Sequence, residues 1–353
     1  MVQGGFSMEK SNKSASMIHM FSYPVFCVKN GIITEANHYA QQHLISVGAS
    51  IDDLLEDSLR EYKDFCGCSL SLTLHIAGAA VPAVAIRFGD TDVFHLYGES
   101  ANEGIRAMAL VAQELNNPLT ELLNIAEESK TEPNGSKFRK SLYELQRITS
   151  NISAVNAYAH GRPYGMEIRN IIAIFNDVLE EANQLVRLAG RHLVYQCPKE
   201  AIYCPVDMDI LEKALYNLIS NAVTGSPEKS TILVNVVTFG DRLRFSIQNA
   251  DNGLGDGVDL FSRYMRAPQI EDGRHGVGLG IPIAQLAAST HNGTLLMDRP
   301  EADTIRFTLT ISTRTNDGDI LRSPVIQIDT LGGLRRSYVE LADVLPASAF
   351  ENI

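Results

Sequence analysis

The sequence predicts a multidomain α+β chain: a strand-rich α+β module, an antiparallel helical hairpin, and an α/β sandwich. Three observations carry this prediction. An Asn-Gly turn joins two short β-rich runs near the start, a three-four apolar period fills the middle, and helices alternate with paired strands from about Tyr164 to Thr313. At roughly 100–200 residues per domain, 353 residues give room for two or three domains.

Residues 1–16 form a Ser- and Lys-containing leader. Pro24 to Val28 is then a short β-rich run, Asn30-Gly31 a hairpin turn, and Ile32 to Thr34 the returning strand. Asn37 to Val47 is helical in composition, and Ser69 to Ala77, Ala83 to Phe88 and Val93 to Tyr97 are β-compatible. Over residues 17–98 this order of two strands, short helices and three strands resembles a PAS sensor domain. The stretch PVFCVKNGIITEANHYAQQHL matches its opening strand-turn-strand-helix pattern. The match is one of pattern, so a sensory role and a generic α+β dimerisation module both fit.

Residues 99–162 carry the helical period. Ile105, Met108, Ala112, Leu115, Leu119, Leu122 and Ala126 follow at spacings of three and four, the seam of a helix bundle. Glu132-Pro133-Asn134-Gly135 breaks the helix and turns the chain, and the apolar positions resume at Phe138, Leu145, Ile148, Ile152, Val155 and Ala159. Two helices joined by a short turn make an antiparallel hairpin with too little apolar surface for its own core. Pairing with a second copy into a four-helix bundle buries both stripes, so the expectation is a homodimer.

In residues 163–314, Ile168 to Gly190 reads as helix-rich and Asp209 to Val223 as a helix with Leu211, Leu215, Leu218, Ile219 and Ala222 on its apolar side. Thr231 to Phe239 and Arg242 to Asn249 are adjacent strands about the Gly240-Asp241 turn. Ile281 to His291 is a further helix, and Gly293 to Met297 and Thr304 to Ser312 are closing strands. Helices over one face of a mixed sheet fit this order. Residues 315–353 add a strand-like run, Pro324 to Ile328, and a short helix near Tyr338 to Val344, without an assigned role.

Composition excludes several partner classes. With 30 Lys and Arg against 42 Asp and Glu, the net charge of −12 argues against a nucleic-acid or bilayer surface. The longest weakly polar run, Ile76 to Ile86, is far shorter than the roughly 20 apolar residues of a membrane span and contains Pro82. The polar start, without an apolar core and cleavage site, gives a cytoplasmic expectation. Cys27, Cys66, Cys68, Cys197 and Cys204, an odd set without zinc-finger spacing, read as reduced thiols.

Three clusters carry candidate chemistry. Asn217 and Asn221, four apart on one helix, share a face and could hold Mg²⁺ and phosphate oxygens without carboxylate repulsion; alone, the pair also fits two solvated amides. Asp251-Asn252-Gly253-Leu254-Gly255 follows a strand, where a carboxylate can accept from an exocyclic amine; an ordinary acidic turn fits equally. Gly276-Val277-Gly278-Leu279-Gly280 immediately precedes a helix, whose free N–H groups suit phosphate, though no βαβ unit surrounds it.

The order and spacing of ALYNLISNAV, DNGLG, LFSRYMRA and HGVGLGIPIAQLAASTHNGTL resemble the ATP-binding domain of sensor histidine kinases, of the GHKL superfamily shared with gyrase-type and Hsp90-type ATPases. ALVAQELNNPLTELLNIAEE resembles their dimerisation and phosphoacceptor helix, so the likeness runs from Asn102 to Ser312. It implies that Asn221 coordinates Mg²⁺, Asn217 supports the phosphates of ATP, and Asp251 takes the adenine amino group. Gly253 and Gly255 would flank the ring, Gly276, Gly278 and Gly280 belong to a lid, and Phe261 and Arg263 contact that lid. His291 and Gly293 match a structural turn.

Two departures stand out. Gln113 occupies the position of the phosphoacceptor histidine, in Ala112-Gln113-Glu114-Leu115-Asn116-Asn117. A carboxamide nitrogen, delocalised into its carbonyl, is not a nucleophile at neutral pH. Thr224 and Gly225 replace a phosphate-facing Lys and the aromatic or His residue after it, a change that weakens ATP affinity by about 1.5–3 kcal/mol if a charge-assisted bond is lost. His160, at the far end of the hairpin, and His275, in the lid, do not replace the missing imidazole.

By the same resemblance, Glu114 is the acid/base partner of the missing histidine, and Asn117 stands where the family orients water against a response regulator's aspartyl phosphate. The resemblance therefore implies a histidine-kinase-like two-component protein that binds ATP, does not autophosphorylate, and regulates or dephosphorylates a response regulator. The alternatives are an active kinase acting in trans on a partner kinase and a non-catalytic dimeric scaffold.

Overall fold

A computed structural model describes residues 18–19, 24–96, 122, 135–159, 165–250, 279–301, 303–315 and 334–351. The chain divides into two units, Met1–Ala101 with Leu296–Asp298, and Asn102–Leu295 with Arg299–Ile353.

In the first unit, β1 (Val25–Lys29), β2 (Ile32–Ala36), β3 (Ser69–Ile76), β4 (Ala79–Phe88) and β5 (Thr91–Leu96) lie in the order β2-β1-β5-β4-β3, every neighbour antiparallel. The Asn-Gly signal is realised: Asn30 and Gly31 take φ of 53° and 77°, the left-handed pair that matches strand twist in a two-residue turn. Asn37 caps α1 (His38–Gln42), its buried Oδ1 accepting from the Ala40 N–H at 2.9 Å and from the Val25 N–H at 3.1 Å. This helix stops at Gln42 rather than Val47, because the chain turns at Leu44 with φ 63°.

Two short helices, α2 (Asp52–Leu55) and α3 (Leu59–Lys63), complete the cover of this core. Phe26 and Phe94 stack at 4.9 Å, and the Tyr62 ring lies 5.5 Å from Phe94. The Tyr62 hydroxyl donates to Asp92 Oδ2 at 2.8 Å, while Arg87 grips the same carboxylate at 2.8 and 2.9 Å. A buried carboxylate is tolerated there because each oxygen has a donor.

In the second unit the long helix α4 (Gly135–Ala159) covers the positions read above as the second helix of a hairpin; apart from Leu122, the expected first helix lies outside the described residues. There follow β6 (Glu167–Asn170), α5 (Ile171–Leu188), β7 (His192–Gln196), β8 (Tyr203–Val206), α6 (Met208–Gly225), β9 (Thr231–Phe239) and β10 (Arg242–Ala250). After them come α7 (Gly280–Thr290), β12 (Thr304–Ser312) and α8 (Arg336–Glu340); β11 (Leu295–Asp298), which precedes β12 in the chain, belongs to the first unit from Leu296 on. The run Pro324 to Ile328 lies outside the described residues.

The sheet is mixed. β10 pairs antiparallel with β12 and β9, and β7 joins β9 in parallel. Alternation places Ile232, Val234, Val236, Leu243, Phe245 and Ile247 inside, where Phe175 of α5 stacks on Phe245 at 5.6 Å. Residues 168–170, read above as the start of a helix-rich stretch, instead belong to β6, which pairs with β8. Strands of four residues are too short to display a period of two.

Asp207 opens α6, its Oδ1 accepting from the Ile210 N–H, and its own N–H donates to Nε2 of His291 at 3.1 Å. That bond leaves the imidazole proton on Nδ1, 2.7 Å from the Ala287 carbonyl oxygen, and burial holds the ring's pKa below its ordinary value. A neutral histidine thus ties the end of α7 to the start of α6. Among the described residues, no helix is long and apolar enough to cross a membrane.

Two measurements check this packing. A Cβ on Gly293 would stand 1.8 Å from the Thr310 carbonyl oxygen, so Gly293→Ala should lower stability in urea by about 1–3 kcal/mol or more. Burial pushes His95 down to about 4, so the unfolded chain binds more protons between that value and the ordinary 6.5. Stability should fall by on the order of 3 kcal/mol as pH drops through that window, and His95→Gln should flatten the dependence.

Candidate functional site

The site is built around α6. One face of this helix packs on the sheet through Ile210, Leu211, Leu215, Leu218, Ile219 and Ala222. The opposite stripe is polar: Lys213, Asn217 and Ser220 follow at spacings of four and three and are all buried, with Asn221 half-buried beside them.

α7 arrives with its first residue, Gly280, against this stripe. A Cβ there would lie 3.1 Å from Asn217 Oδ1 and 3.5 Å from Asn221 Nδ2, so a side chain would press on both amides. Among the described residues no side chain caps the α7 N-terminus, and a helix start of this kind, with its N–H groups and dipole, suits an anion. The structure thus brings together Asn217, Asn221 and Gly280. Gln113, Glu114, Asn117, Asp251, Gly253, Gly255, Gly276 and Gly278 lie outside the described residues.

The two asparagines differ in what they offer. Asn217 is 1% exposed; its Oδ1 accepts from Arg147 Nη2 at 3.1 Å and its Nδ2 donates to the Lys213 carbonyl oxygen at 2.8 Å. The Asn221 amide makes no side-chain hydrogen bond among the described residues. Its oxygen is a hard, neutral ligand of the kind Mg²⁺ takes alongside phosphate oxygens, so the residue present fits that ion.

A charged network surrounds the stripe. Lys213 Nζ sits 2.5 Å from Glu340 Oε1 of α8 and 3.1 Å from Asn151 Oδ1 of α4. Arg336 bridges Glu212 at 2.8 Å and Asp209 at 2.7 Å, and the Arg147 guanidinium pairs with Asp343. Ser220 Oγ lies 3.1 and 3.0 Å from the two Asp343 carboxylate oxygens. Burial pushes the Lys213 ammonium below its usual range against the pull of Glu340, and raises the Tyr216 phenol, which is bonded to Glu181 at 3.1 Å.

Of the two residues marked above as a departure, Gly225 has a packing role. Thr224 is exposed, whereas a Cβ on Gly225 would stand 3.1 Å from Asn249 Nδ2. Asn249 is buried and donates to the Ala250 carbonyl oxygen at 2.7 Å. Glycine therefore lets the end of β10, just before Asp251, approach the end of α6.

Sequence reasoning missed Arg147, Lys213, Ser220, Glu340 and Asp343. The spacing of Lys213, Asn217 and Ser220 was a usable signal, since a polar stripe opposite an apolar one on a central helix needs partners. Nothing local marks Asp343, which meets Ser220 across 123 positions of sequence.

Residues 206–315 match the family model described as histidine kinase-, DNA gyrase B-, and HSP90-like ATPase. Among curated proteins, the chain is 24% identical over 235 residues to sporulation kinase E of Bacillus subtilis, covering 65% of this chain and 30% of that protein. It is 22% identical over 228 residues to the adaptive-response sensory kinase SasA of Synechococcus elongatus, covering 58% and 59%. The chain thus spans less than two thirds of the length of either relative. Among solved structures, full-length ShkA in complex with AMPPNP is similar at 18% identity and a TM-score of 0.46, over 60% of this chain and 47% of that one. The match over residues 206–315 and these relatives together support an ATPase domain of the histidine kinase, gyrase B and HSP90 type, with sensor histidine kinases as its kin.

Proposed function

We propose that the chain is a two-component signalling protein that binds ATP with Mg²⁺, does not phosphorylate itself, and regulates or dephosphorylates a response regulator. The observation that carries the nucleotide reading is the Asn221 amide, which makes no side-chain hydrogen bond among the described residues and lies beside Gly280 at the start of α7. Asn221 would hold Mg²⁺, Asn217 the phosphate side, Asp251 the adenine amine, and Gly253, Gly255, Gly276, Gly278 and Gly280 the close backbone approach. When bound, ATP supplies a transferable γ-phosphoryl group.

The loss of self-transfer rests on Gln113, whose amide nitrogen has its lone pair delocalised into the carbonyl and is no nucleophile toward phosphorus at neutral pH. Gln113 and Asn117, four apart, would share a helix face and position water against an aspartyl phosphate of the regulator, with Glu114 alongside. The domain plan is a PAS-like sensor over 17–98, a dimerisation hairpin over 99–162, an ATP-binding sandwich over 163–314 and an extension over 315–353. The homodimer is supported by Phe138 and Leu145, seven apart on α4 and 49% and 46% exposed. That exposed pair suits a helix of a second copy.

Retention of Asn221 and Gly280 favours a second reading, an active kinase that phosphorylates a histidine of a partner kinase in trans. A partner that acquires acid-labile label only in the presence of this chain would select it. If calorimetry detects no binding at millimolar ATP, a scaffold role replaces both readings.

Incubation with γ-labelled ATP should leave no acid-labile label on the chain, and a labelled histidine would overturn the reading. Asn221→Ala should weaken ATP binding with Mg²⁺ by about 1.5–3 kcal/mol in calorimetry while leaving the urea midpoint in place. Asn217→Ala, which removes two buried hydrogen bonds, should also lower that midpoint.

A further inference from the structure

The C-terminal segment 334–351 lies on the polar stripe of α6 through side-chain carboxylates. Asp343 is held by the Ser220 hydroxyl, at 3.1 and 3.0 Å to its two oxygens, and by the Arg147 guanidinium. A second arm of that guanidinium donates to Asn217 Oδ1 at 3.1 Å, and its buried Nε has no partner among the described residues. The donors gathered there exceed what one carboxylate uses. A hydroxyl and a guanidinium are also the donors that a phosphate oxyanion accepts from, and Ser220 is the immediate neighbour of Asn221.

The two ends of the segment are held by different forces. At its far end, Phe350 is fully buried with its ring 5.2 Å from that of Tyr143, and its carbonyl oxygen accepts from Arg139 Nε at 2.7 Å, so this end is fastened to α4. Toward α6, the fastenings are Arg336 to Asp209 and Glu212, Glu340 to Lys213, and Asp343 to Ser220 and Arg147. Glu340 and Asp343 both set a carboxylate of the segment against donors outside it, but the Glu340 side chain is 1% exposed whereas that of Asp343 is 30% exposed, so the Asp343 contact is the one that an incoming anion can reach and replace.

We propose that residues 334–351 are an autoinhibitory strap: the Asp343 carboxylate occupies an oxyanion seat made by Arg147 and Ser220, and a nucleotide phosphate takes that seat when the strap lifts. Arg147 then supplies the phosphate-facing cation that the exposed Thr224 does not. The proposal rests on the nucleotide reading above and adds to it a residue of α4 and a regulatory element.

Calorimetric titration of ATP with Mg²⁺ into the full-length chain and into Asp343→Asn is the direct test. The variant should bind about tenfold tighter or more, and the further change Arg147→Ala should abolish that gain. Equal or weaker binding by Asp343→Asn overturns the strap. In the unsubstituted chain, saturating ATP with Mg²⁺ should speed amide hydrogen exchange across 336–345 and leave 171–188 unchanged; unaltered exchange across 336–345 also overturns it, whatever the variant's folding. If every chain binds ATP equally, the strap alone falls, whereas binding by none of them removes the nucleotide reading and the strap together.

Discussion

Helix α6 has to be buried on two faces at once, and most of the second unit follows from how each face is satisfied. Its apolar face needs only area, and the inward-pointing residues of β9 and β10 supply it. Its polar face, with Lys213, Asn217 and Ser220 removed from water, needs partners of matching chemistry, and the sheet cannot provide them. They come from two other parts of the chain: Arg147 and Asn151 from α4, and Glu340 and Asp343 from the C-terminal segment.

This division explains why α6 can serve as both scaffold and site. Continuous packing on the sheet keeps the helix in place, while a buried ion pair such as Lys213 with Glu340, the latter 0% exposed, contributes more to a unique arrangement than to net stability. Asn221 stands at the edge of the polar stripe, outside the network, with its amide uncommitted among the described residues and beside the start of α7. His291 ties the end of α7 to the start of α6, at the opposite ends of both helices from Asn221 and Gly280.

Legibility from the sequence followed the range of the interaction. Asn30-Gly31, the helix beginning at Asn37 and the β9–β10 hairpin about Gly240-Asp241 are decided within a few residues, and they start where the sequence places them. The α1 helix was read too long because a left-handed residue at Leu44 has no signal in composition. Strands β6, β7 and β8 were missed because four or five residues carry too little alternation to be separated from their surroundings.

The sequence by itself determined the chemistry available: an asparagine pair at helical spacing, glycines before a helix, and a glutamine where a phosphoacceptor would stand. Those are properties of residue type and local spacing. Only the tertiary structure decided which of the two asparagines is already engaged, why Gly225 is a glycine, and which carboxylates answer Lys213 and Arg147. The physical reason is that a buried polar group is satisfied by whichever partner the fold brings within about 3 Å. Partners separated by 70 positions, as Arg147 and Asn217 are, leave no trace in either one's local sequence.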